Sequence, residues 1–431
     1  MLGTFILDVL AGHWRYAHLS AMRIDGVAPD LLGLGGIVSE DSVRRGLRRI
    51  GQIDGARWLG GHLRQSWWEI LTTAWILDVD TTIKPLYGRQ EGATLGYNPQ
   101  KPGCPSHALH TYWIATLCLD VETQPGNRSA AGYGLDGLWT LLDGLPKERL
   151  PHLIRGDCGY GQEKAMAEAQ QRSLMYLFKL RRSKGVRGLV ETIERTRETR
   201  WQDAGQGWQG TEASLRLTGW SKARRVAVLR RRLTQSCSPR ARRQVANLWS
   251  LAGFELASCE VVDYEYQVLV TNLPYGVETL ASLYRERGDA ENPFDELKNQ
   301  WGWGGFTTRR LETSQHAARL IVLVYNWSSL YGRLVSPGQH HEAITSRPRL
   351  LGGVAKQTEH AGQRRVAVRL LHAEAPELKL RISALAVWLH NLMQTAPQLG
   401  PTVLWHHIIA RILAQNFGVM ERDPPALPAP T

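Results

Sequence analysis

The sequence predicts an α/β protein: a mixed sheet with flanking helices, interrupted by a β-rich insertion and framed by helical N- and C-terminal regions. Three observations predict it. Between residues 71 and 185, short apolar strand patterns begin as neighbours and then alternate with helical patterns. A stretch rich in Trp, Gly and β-formers follows, and a strand pattern then returns. The 431 residues are 43% hydrophobic and 21% charged, which gives a globular chain ample core. No apolar run nears the ~18–20 residues of a membrane span. The start, Met1 to Asp8, has no basic n-region and meets an acid at Asp8, which argues against a signal peptide.

Residues 1–70 read as a helical region, either DNA-binding through an arginine-rich helix face or carrying that face simply solvated. Ser39 to Ile50 offers a capping residue, then Val43, Leu47 and Ile50 at helical spacing, with Arg44, Arg45, Arg48 and Arg49 mainly on the other side. Residues 71–185 read as the first part of an α/β core. Thr73–Asp80 is a short strand ending in acids, and His107–Asp120 is a long second strand. Gly134–Gly144 is a helix ended by Gly-Leu-Pro, and His152–Asp157 is a short strand. Gln162–Ser173 is a helix, and Leu174–Leu180 closes as a strand.

Residues 186–275 read as a basic, β-rich insertion. A helix pattern spans Val186–Glu198, and β-formers fill Trp201–Leu233. From Ala213 to Phe254 there is no acid, yet Arg216, Lys222, Arg224, Arg225, Arg230, Arg231, Arg232, Arg240, Arg242 and Arg243 all lie there. Charge of one sign at this density is hard to keep on a compact domain without an anionic partner. Tyr264–Asn272 reads as a strand returning to the sheet. Residues 276–335 are helical and complete the core. Residues 336–431 hold further helices, notably Ile382–Met393 and Val403–Ala414, and a Pro-rich tail.

The charge balance is basic, 52 Lys+Arg against 40 Asp+Glu, which favours a polyanionic partner. Five cysteines, an odd number with no CxxC spacing, argue against a zinc knuckle or disulfide framework and for a reducing cytoplasm. The His107/His110 and His340/His341 pairs lack clustered Cys partners for zinc. Gly33-Leu-Gly-Gly and Gly302-Trp-Gly-Gly do not continue as phosphate loops.

The informative segment runs from Tyr284 to Lys298. Tyr284, Arg287, Glu291 and Lys298 stand at offsets of 3, 7 and 14, which puts them within roughly 60° of one another on one helical face. One carboxylate flanked by two cations and a phenol suits a metal ligand beside groups that grip phosphate oxygens. Partner carboxylates are expected at strand ends, and Asp80 and Asp157 are placed for it. Three such acids can bind two Mg²⁺ ions for in-line displacement at phosphorus. Asp78 points the same way as Asp80 in a strand and is the other candidate; Asp80 is preferred for the Thr that follows and its place nearer the strand end. Glu286, Asp289, Asp295 and Glu296 read as solvated or paired with neighbouring Arg. Pro293 requires a kink there, or a new helix capped by Asn292.

With Y-x2-R-x3-E-x6-K met at Tyr284, Arg287, Glu291 and Lys298, the chain resembles bacterial insertion-sequence transposases of the DDE class. It is most similar to the branch with the Tyr-Arg-Glu-Lys signature and a β-rich insertion before the final glutamate. Asp80-Thr81 fits that family's first Asp motif, and Asp157 in Arg155-Gly-Asp-Cys-Gly-Tyr fits the second. The loop Leu86–Gly103 and the segment Asn299–Phe306 also resemble that branch. The separation of 77 residues from Asp80 to Asp157, against 134 from Asp157 to Glu291, leaves room for the insertion in the second gap.

The resemblance implies a ribonuclease-H-like core, with Asp80, Asp157 and Glu291 holding Mg²⁺ (Mn²⁺ substituting) and Tyr284, Arg287 and Lys298 gripping phosphates. It implies double-stranded DNA partners, namely transposon inverted-repeat ends and target DNA, and a homodimer in the synaptic complex. It further implies cut-and-paste transfer through a hairpin intermediate, in the bacterial cytoplasm at the nucleoid, with no membrane. In such proteins the insertion contacts transposon-end DNA; Trp201, Trp208, Trp220 and Trp249 lie there, each read first as ordinary core, for the area an indole buries, and second as a base-stacking residue. A catalytically inactive or domesticated DNA-binding relative is the alternative. A ribonuclease-H-like repair nuclease accounts for the acids but not for the basic insertion.

Overall fold

Helix and strand follow the patterns of the chain closely enough that most elements fall where periodicity puts them. The computed structural model describes residues 1–72, 74–98, 101–128, 135–196, 198–232, 264–338, 340–369 and 374–417. Cys237, Arg240, Arg242, Arg243, Trp249, Cys259 and the Pro-rich tail lie outside them, as does Gly134. The chain forms two units, Met1–His152 with Asp289–Thr431, and Leu153–Gly288.

The first unit opens with helices α1 (Leu2–Leu10), α2 (Leu19–Met22), α3 (Val27–Leu31), α4 (Glu40–Arg49) and α5 (Gln52–Trp67). In α4 the Ser39 hydroxyl accepts the Ser42 N–H at 3.3 Å, Val43 and Leu47 are buried, and Arg44, Arg45, Arg48 and Arg49 are exposed, as the spacing predicts. Strands β1 (Ile76–Pro85), β2 (Ser106–Ile114) and β3 (Leu117–Pro125) follow, then helix α6 (Leu135–Asp143). The strands run in the order β3-β2-β1, antiparallel throughout.

Two expectations are corrected here. The single long strand over His107–Asp120 is a hairpin, because Ala115 takes a positive φ of 48° and turns β2 into β3. Strand β1 does not end at Asp80: the β-branched run Thr81-Thr82-Ile83 carries it on to Pro85, paired with Ser106–His110. Asp80 therefore sits mid-strand.

The second unit holds β4 (Leu153–Gly156), helix α7 (Glu163–Gln171), β5 (Met175–Lys179), helix α8 (Lys184–Arg195), β6 (Gln202–Asp203), β7 (Trp208–Leu215), β8 (Arg224–Arg232), β9 (Tyr264–Thr271) and helix α9 (Val277–Arg285). Their order is β4-β5-β9-β8-β7-β6, with β4–β5 parallel and the rest antiparallel, so the sheet is mixed. The strand over Tyr264–Thr271 returns beside β5, and through it β8 and β7 extend the same sheet. Helices α7 and α9 pack on these strands. The observed class is mixed α/β with flanking helices, as the sequence predicts.

The chain re-enters the first unit through helix α10 (Gly288–Asn299), followed by α11 (Leu311–Val335), α12 (Ala343–Ser346), strands β10 (Val354–His360) and β11 (Gln363–Arg369), α13 (Ala375–Thr395) and α14 (Pro401–Phe417). The hairpin of β10 and β11 lies where only helices are expected. Among the described residues no helix is long and apolar enough to cross a membrane.

Helix α11 is the spine of the first unit: from Ala317 to Tyr325 nearly every residue is buried. It runs antiparallel along β3, the edge strand, and satisfies its outward peptide groups. Gln315 accepts the Thr123 N–H and donates to the Val121 carbonyl; Arg319 forks onto Asp120 at 2.8 and 2.7 Å. The Asn326 side chain accepts the Cys118 N–H at 3.0 Å and donates to the Cys118 carbonyl at 2.8 Å, as a neighbouring strand would. It also donates to Ser66 Oγ on α5 at 2.9 Å. Tyr325 and Arg333 bond Thr116 in the turn. Asn326 is fully buried, so its replacement by the similarly sized Leu strands both Cys118 groups. Asn326→Leu is expected to cost roughly 3 kcal/mol, read as a lower urea midpoint than the wild type.

Candidate active site

The six candidate residues divide between the units: Asp80, Glu291 and Lys298 in the first, Asp157, Tyr284 and Arg287 in the second.

In the first unit, Asp80 faces Thr111 across the β1–β2 ladder and its main-chain carbonyl accepts the Thr111 hydroxyl at 3.1 Å. Its Oδ1 accepts the Thr81 N–H at 2.6 Å. The Thr81 hydroxyl in turn meets His110 Nδ1 at 2.8 Å. Burial pushes the His110 imidazole down to about 4, so it is neutral at pH 7 and serves as a fixed hydrogen-bonding group. Asp78, on the same side of the strand, is buried, whereas Asp80 is only half-buried and so is the better placed of the two for a ligand.

Helix α10 brings up Lys298. Its apolar side, Phe294 and Leu297, enters the core, with the Phe294 ring edge-on to Trp113 of β2 at 5.0 Å. Burial lowers the Lys298 ammonium, and the Asp80 and Asp295 carboxylates oppose that shift. Asp80 and Lys298 are thus within each other's electrostatic reach. Glu291 lies in α10, and its side chain is outside the described residues.

The register of α10 is fixed by Glu296, which sequence reasoning treats as solvated or Arg-paired. It is buried instead: Oε1 accepts Trp301 Nε1 at 2.9 Å and the Ala343 N–H at 2.8 Å, and Oε2 meets His340 Nε2 at 2.8 Å. His340 is thereby a carboxylate partner, not half of a zinc pair. The segment Asn299–Phe306 then locks the helix to the N-terminal turn. Gly302 turns at a φ of +86°, and the Phe306 N–H bonds the Trp14 carbonyl at 2.9 Å. A Cβ at Gly305 would lie 1.7 Å from that same carbonyl, so only glycine fits. Lys84, near the end of β1, donates to the Gly305 carbonyl, and burial holds its ammonium down to about 8.

In the second unit Asp157 directly follows β4. Its Oδ1 accepts the Gly159 N–H at 2.9 Å and its carbonyl accepts the Tyr160 N–H at 3.1 Å, an Asx turn that fixes the carboxylate at the strand tip. Two residues earlier, the buried Arg155 donates to the Leu283 carbonyl and lies 3.8 Å from Glu286, tying β4 to the end of α9. No local pattern announces that role.

The four residues read as one helical stripe do not share a helix. Helix α9 closes at Arg285, with the Arg287 N–H bonded to the Tyr284 carbonyl at 3.2 Å, and α10 starts at Gly288. The break falls at Glu286 and Arg287, just before Gly288, and not at Pro293, through which α10 continues. Tyr284 is half-buried in the last turn of α9, and Arg287 is buried in the turn that follows.

The acid-free basic stretch is balanced in part by acids elsewhere in the chain. Four of its described arginines find acids contributed by other segments: Arg224 pairs with Glu163 at 2.9 Å, Arg225 with Glu212 at 2.6 Å, Arg230 with Glu194 at 2.9 Å and Arg231 with Glu265 at 2.8 Å. Trp208 and Trp220 are buried as core, and Arg230 stacks 3.8 Å over Trp201. Among the described residues no group of three or more His, Cys, Asp or Glu side chains is arranged to hold a metal.

The family model for the transposase DDE domain, group 1, matches residues 6–371. No curated protein matches the chain. Among solved structures, the cryo-EM structure of the piggyBac transposase synaptic complex with hairpin DNA is similar at 12% identity and a TM-score of 0.38, over 76% of this chain. The chain covers 65% of that protein's length.

Two outcomes follow from the electrostatics. Asp80→Asn removes a charge that holds the Lys298 proton, so the amine loses it more readily; labelling of Lys298 by an amine-reactive reagent at pH 8 is expected to speed up. Lys84 holds its proton less tightly folded (about 8) than unfolded (10.5), so its burial penalty is full below pH 8 and relieved as pH rises to 10.5. The urea midpoint of the wild type should rise across that window relative to Lys84→Met, which lacks the titration.

Proposed function

The chain belongs to the group 1 family of DDE-domain transposases, and on that premise we propose that it cleaves and joins DNA strands to move an insertion sequence. The observation that carries this reading is the family match across residues 6–371, a span that includes all six candidate residues. Asp80, Asp157 and Glu291 are the proposed metal-holding carboxylates. The donor set fits Mg²⁺, with Mn²⁺ as a substitute, because all three are hard oxygen ligands. Asp80 and Asp157 each accept a neighbouring backbone N–H, from Thr81 and Gly159, which orients both carboxylates in advance. When bound, a metal pair supplies activation of the attacking oxygen and stabilisation of the leaving one.

The remaining work falls to the protein's own side chains. Lys298 offers an ammonium and Arg287 a forked guanidinium to phosphate oxygens, and Tyr284 a phenolic donor. Together with Glu291 they fill the Tyr-Arg-Glu-Lys signature of the bacterial insertion-sequence branch. On this reading two copies bring two inverted-repeat ends together. The freed 3′-hydroxyl forms a bond to phosphorus in the opposite strand, and the bond from that phosphorus to flanking DNA breaks. The resulting hairpin is opened before the end is joined to duplicated target DNA.

The test uses the purified full chain, Mg²⁺ and labelled duplexes bearing the inverted repeats that flank its coding sequence. Nicked or hairpin products are expected with the wild type. Asp157→Ala should abolish them, by at least about 10³-fold in rate, while the complex with DNA survives on a native gel. Products that persist in that variant, or with chelator present, overturn the carboxylate assignment. Binding without cleavage by the wild type points to the inactive DNA-binding relative instead.

A further inference from the structure

The hairpin of β10 and β11 has almost no core of its own. Of its fourteen strand residues only Gln357 and Val366 are half-buried, and the rest are exposed. A lone two-stranded ribbon is marginal in water, so its position needs a tether. Asp30 on α3 supplies one: its carboxylate accepts Gln357 Nε2 at 3.0 Å and Arg364 Nη1 at 2.9 Å. At the tip, Ala361 and Gly362 both take positive φ, 49° and 73°, the pattern of a tight two-residue hairpin turn.

The register sorts the side chains by face. Residues directly opposed in an antiparallel pair point the same way, and successive pairs alternate. Ala355/Val368, Gln357/Val366 and Glu359/Arg364 share one face, and that is the tethered face. Val354/Arg369, Lys356/Ala367, Thr358/Arg365 and His360/Gln363 share the other. The ribbon's single acid, Glu359, is on the tethered face, 3.7 Å from Arg364. The outward face carries Arg369, Lys356 and Arg365, no acid, and the hydrogen-bonding groups Thr358, Gln363 and His360. Among the described residues none of those three cations has an ion-pair partner. This differs from β8, four of whose arginines are matched by acids from other segments. A merely solvated ribbon has no reason to segregate its charges this way.

We propose that the outward face of the β10–β11 ribbon, through Lys356, Arg365 and Arg369, docks on the phosphate backbone of duplex DNA. The occupant follows from charge and shape. The cations zigzag between the two strands at about 7 Å steps along the ribbon. A ribbon two strands wide is what the ~12 Å major groove of B-DNA admits. Lys and Arg contacts to phosphate position a protein on DNA without reading sequence. The assignment of DNA as occupant rests on the transposase reading above, and the experiment separates the two.

The probe is a fluorescein-labelled 30-base-pair duplex of arbitrary sequence, titrated with the full chain from 50 to 200 mM NaCl. Lys356→Gln/Arg365→Gln/Arg369→Gln is expected to bind about 10-fold or more weakly at the low-salt end. Its slope of log K against log salt should be shallower by about 2–3, one unit per lost phosphate contact. Arg365→Lys/Arg369→Lys keeps the charge and should keep both values, which excludes damage to the ribbon itself. Unchanged affinity and slope in the Gln variant overturn the docking surface while leaving the transposase reading intact. A wild type that does not bind duplex at all overturns both. Loss of phosphatidylserine-vesicle binding, or a change of oligomeric state, with duplex binding unaltered assigns the face to a membrane or a second copy and overturns the proposal.

Discussion

The edge of β3 presents a row of outward peptide groups, and helix α11 covers it. That one arrangement decides how the first unit can be built. An open edge invites pairing with another chain, and burying it without partners costs more than leaving it wet. Helix α11 meets both demands because its rise of about 1.5 Å per residue against about 3.3 Å in a strand lets 19 helical residues, Gln315 to Arg333, match the eight from Thr123 back to Thr116. The polar side chains that bond the strand sit among buried apolar neighbours, so α11 is at once the core's centre and the sheet's last partner. With β3 fixed, β2 and β1 follow by register, and Asp80 takes its place opposite Thr111.

Little of that dependence is visible in the sequence. Periodicity placed the helices and strands because each is a local property: α4 shows its Val43/Leu47 stripe and Arg face, and β4 and β5 show short apolar runs. Where an element continues past an expected stop, the signal was weaker but present, as in the β-branched Thr81-Thr82-Ile83 that extends β1. The β10–β11 ribbon had its signal too, an Ala-Gly turn between β-formers, muted by the basic and polar residues around it. The bond between Asn326 and Cys118 had none, since 208 residues separate the two and an Asn in an apolar helix announces no partner.

The candidate site divides in the same way. The identities at Asp80, Asp157, Tyr284, Arg287, Glu291 and Lys298 are a motif, and motifs are legible. The residues that hold them are not. Glu296 looks like one more surface acid in an acid-rich segment, yet it is buried against Trp301 and His340. Arg155 looks like a charged residue entering a loop, yet it is buried on the Leu283 carbonyl. Charge along the chain is a partial guide for a related reason: four arginines of β8 pair with Glu163, Glu194, Glu212 and Glu265, which lie in helices or across a ladder from it. Charge balance is settled in space, whereas a sequence window sees only neighbours along the chain.

Each described candidate with a carboxylate or ammonium has a rigid residue close beside it in sequence. Asp80 precedes Thr81, held by the neutral His110; Asp157 follows Arg155 by two positions; Lys298 follows Glu296 by two. The spacing of two is informative in the strand and the helix for opposite reasons. In a strand, residues two apart share a side, so anchoring Arg155 fixes the direction in which β4 delivers its tip. In a helix, residues two apart lie about 200° around the axis, so anchoring Glu296 in the core turns Lys298 toward the other side. In both cases the anchor is buried and satisfied, and its neighbour is left partly open. Chemistry at phosphorus tolerates misplacement of its groups poorly, and a reactive group gains precision when the rotation of its element is set by a residue that does not itself react. Such anchors escape motif searches and are the positions where a substitution should disturb geometry before it disturbs charge.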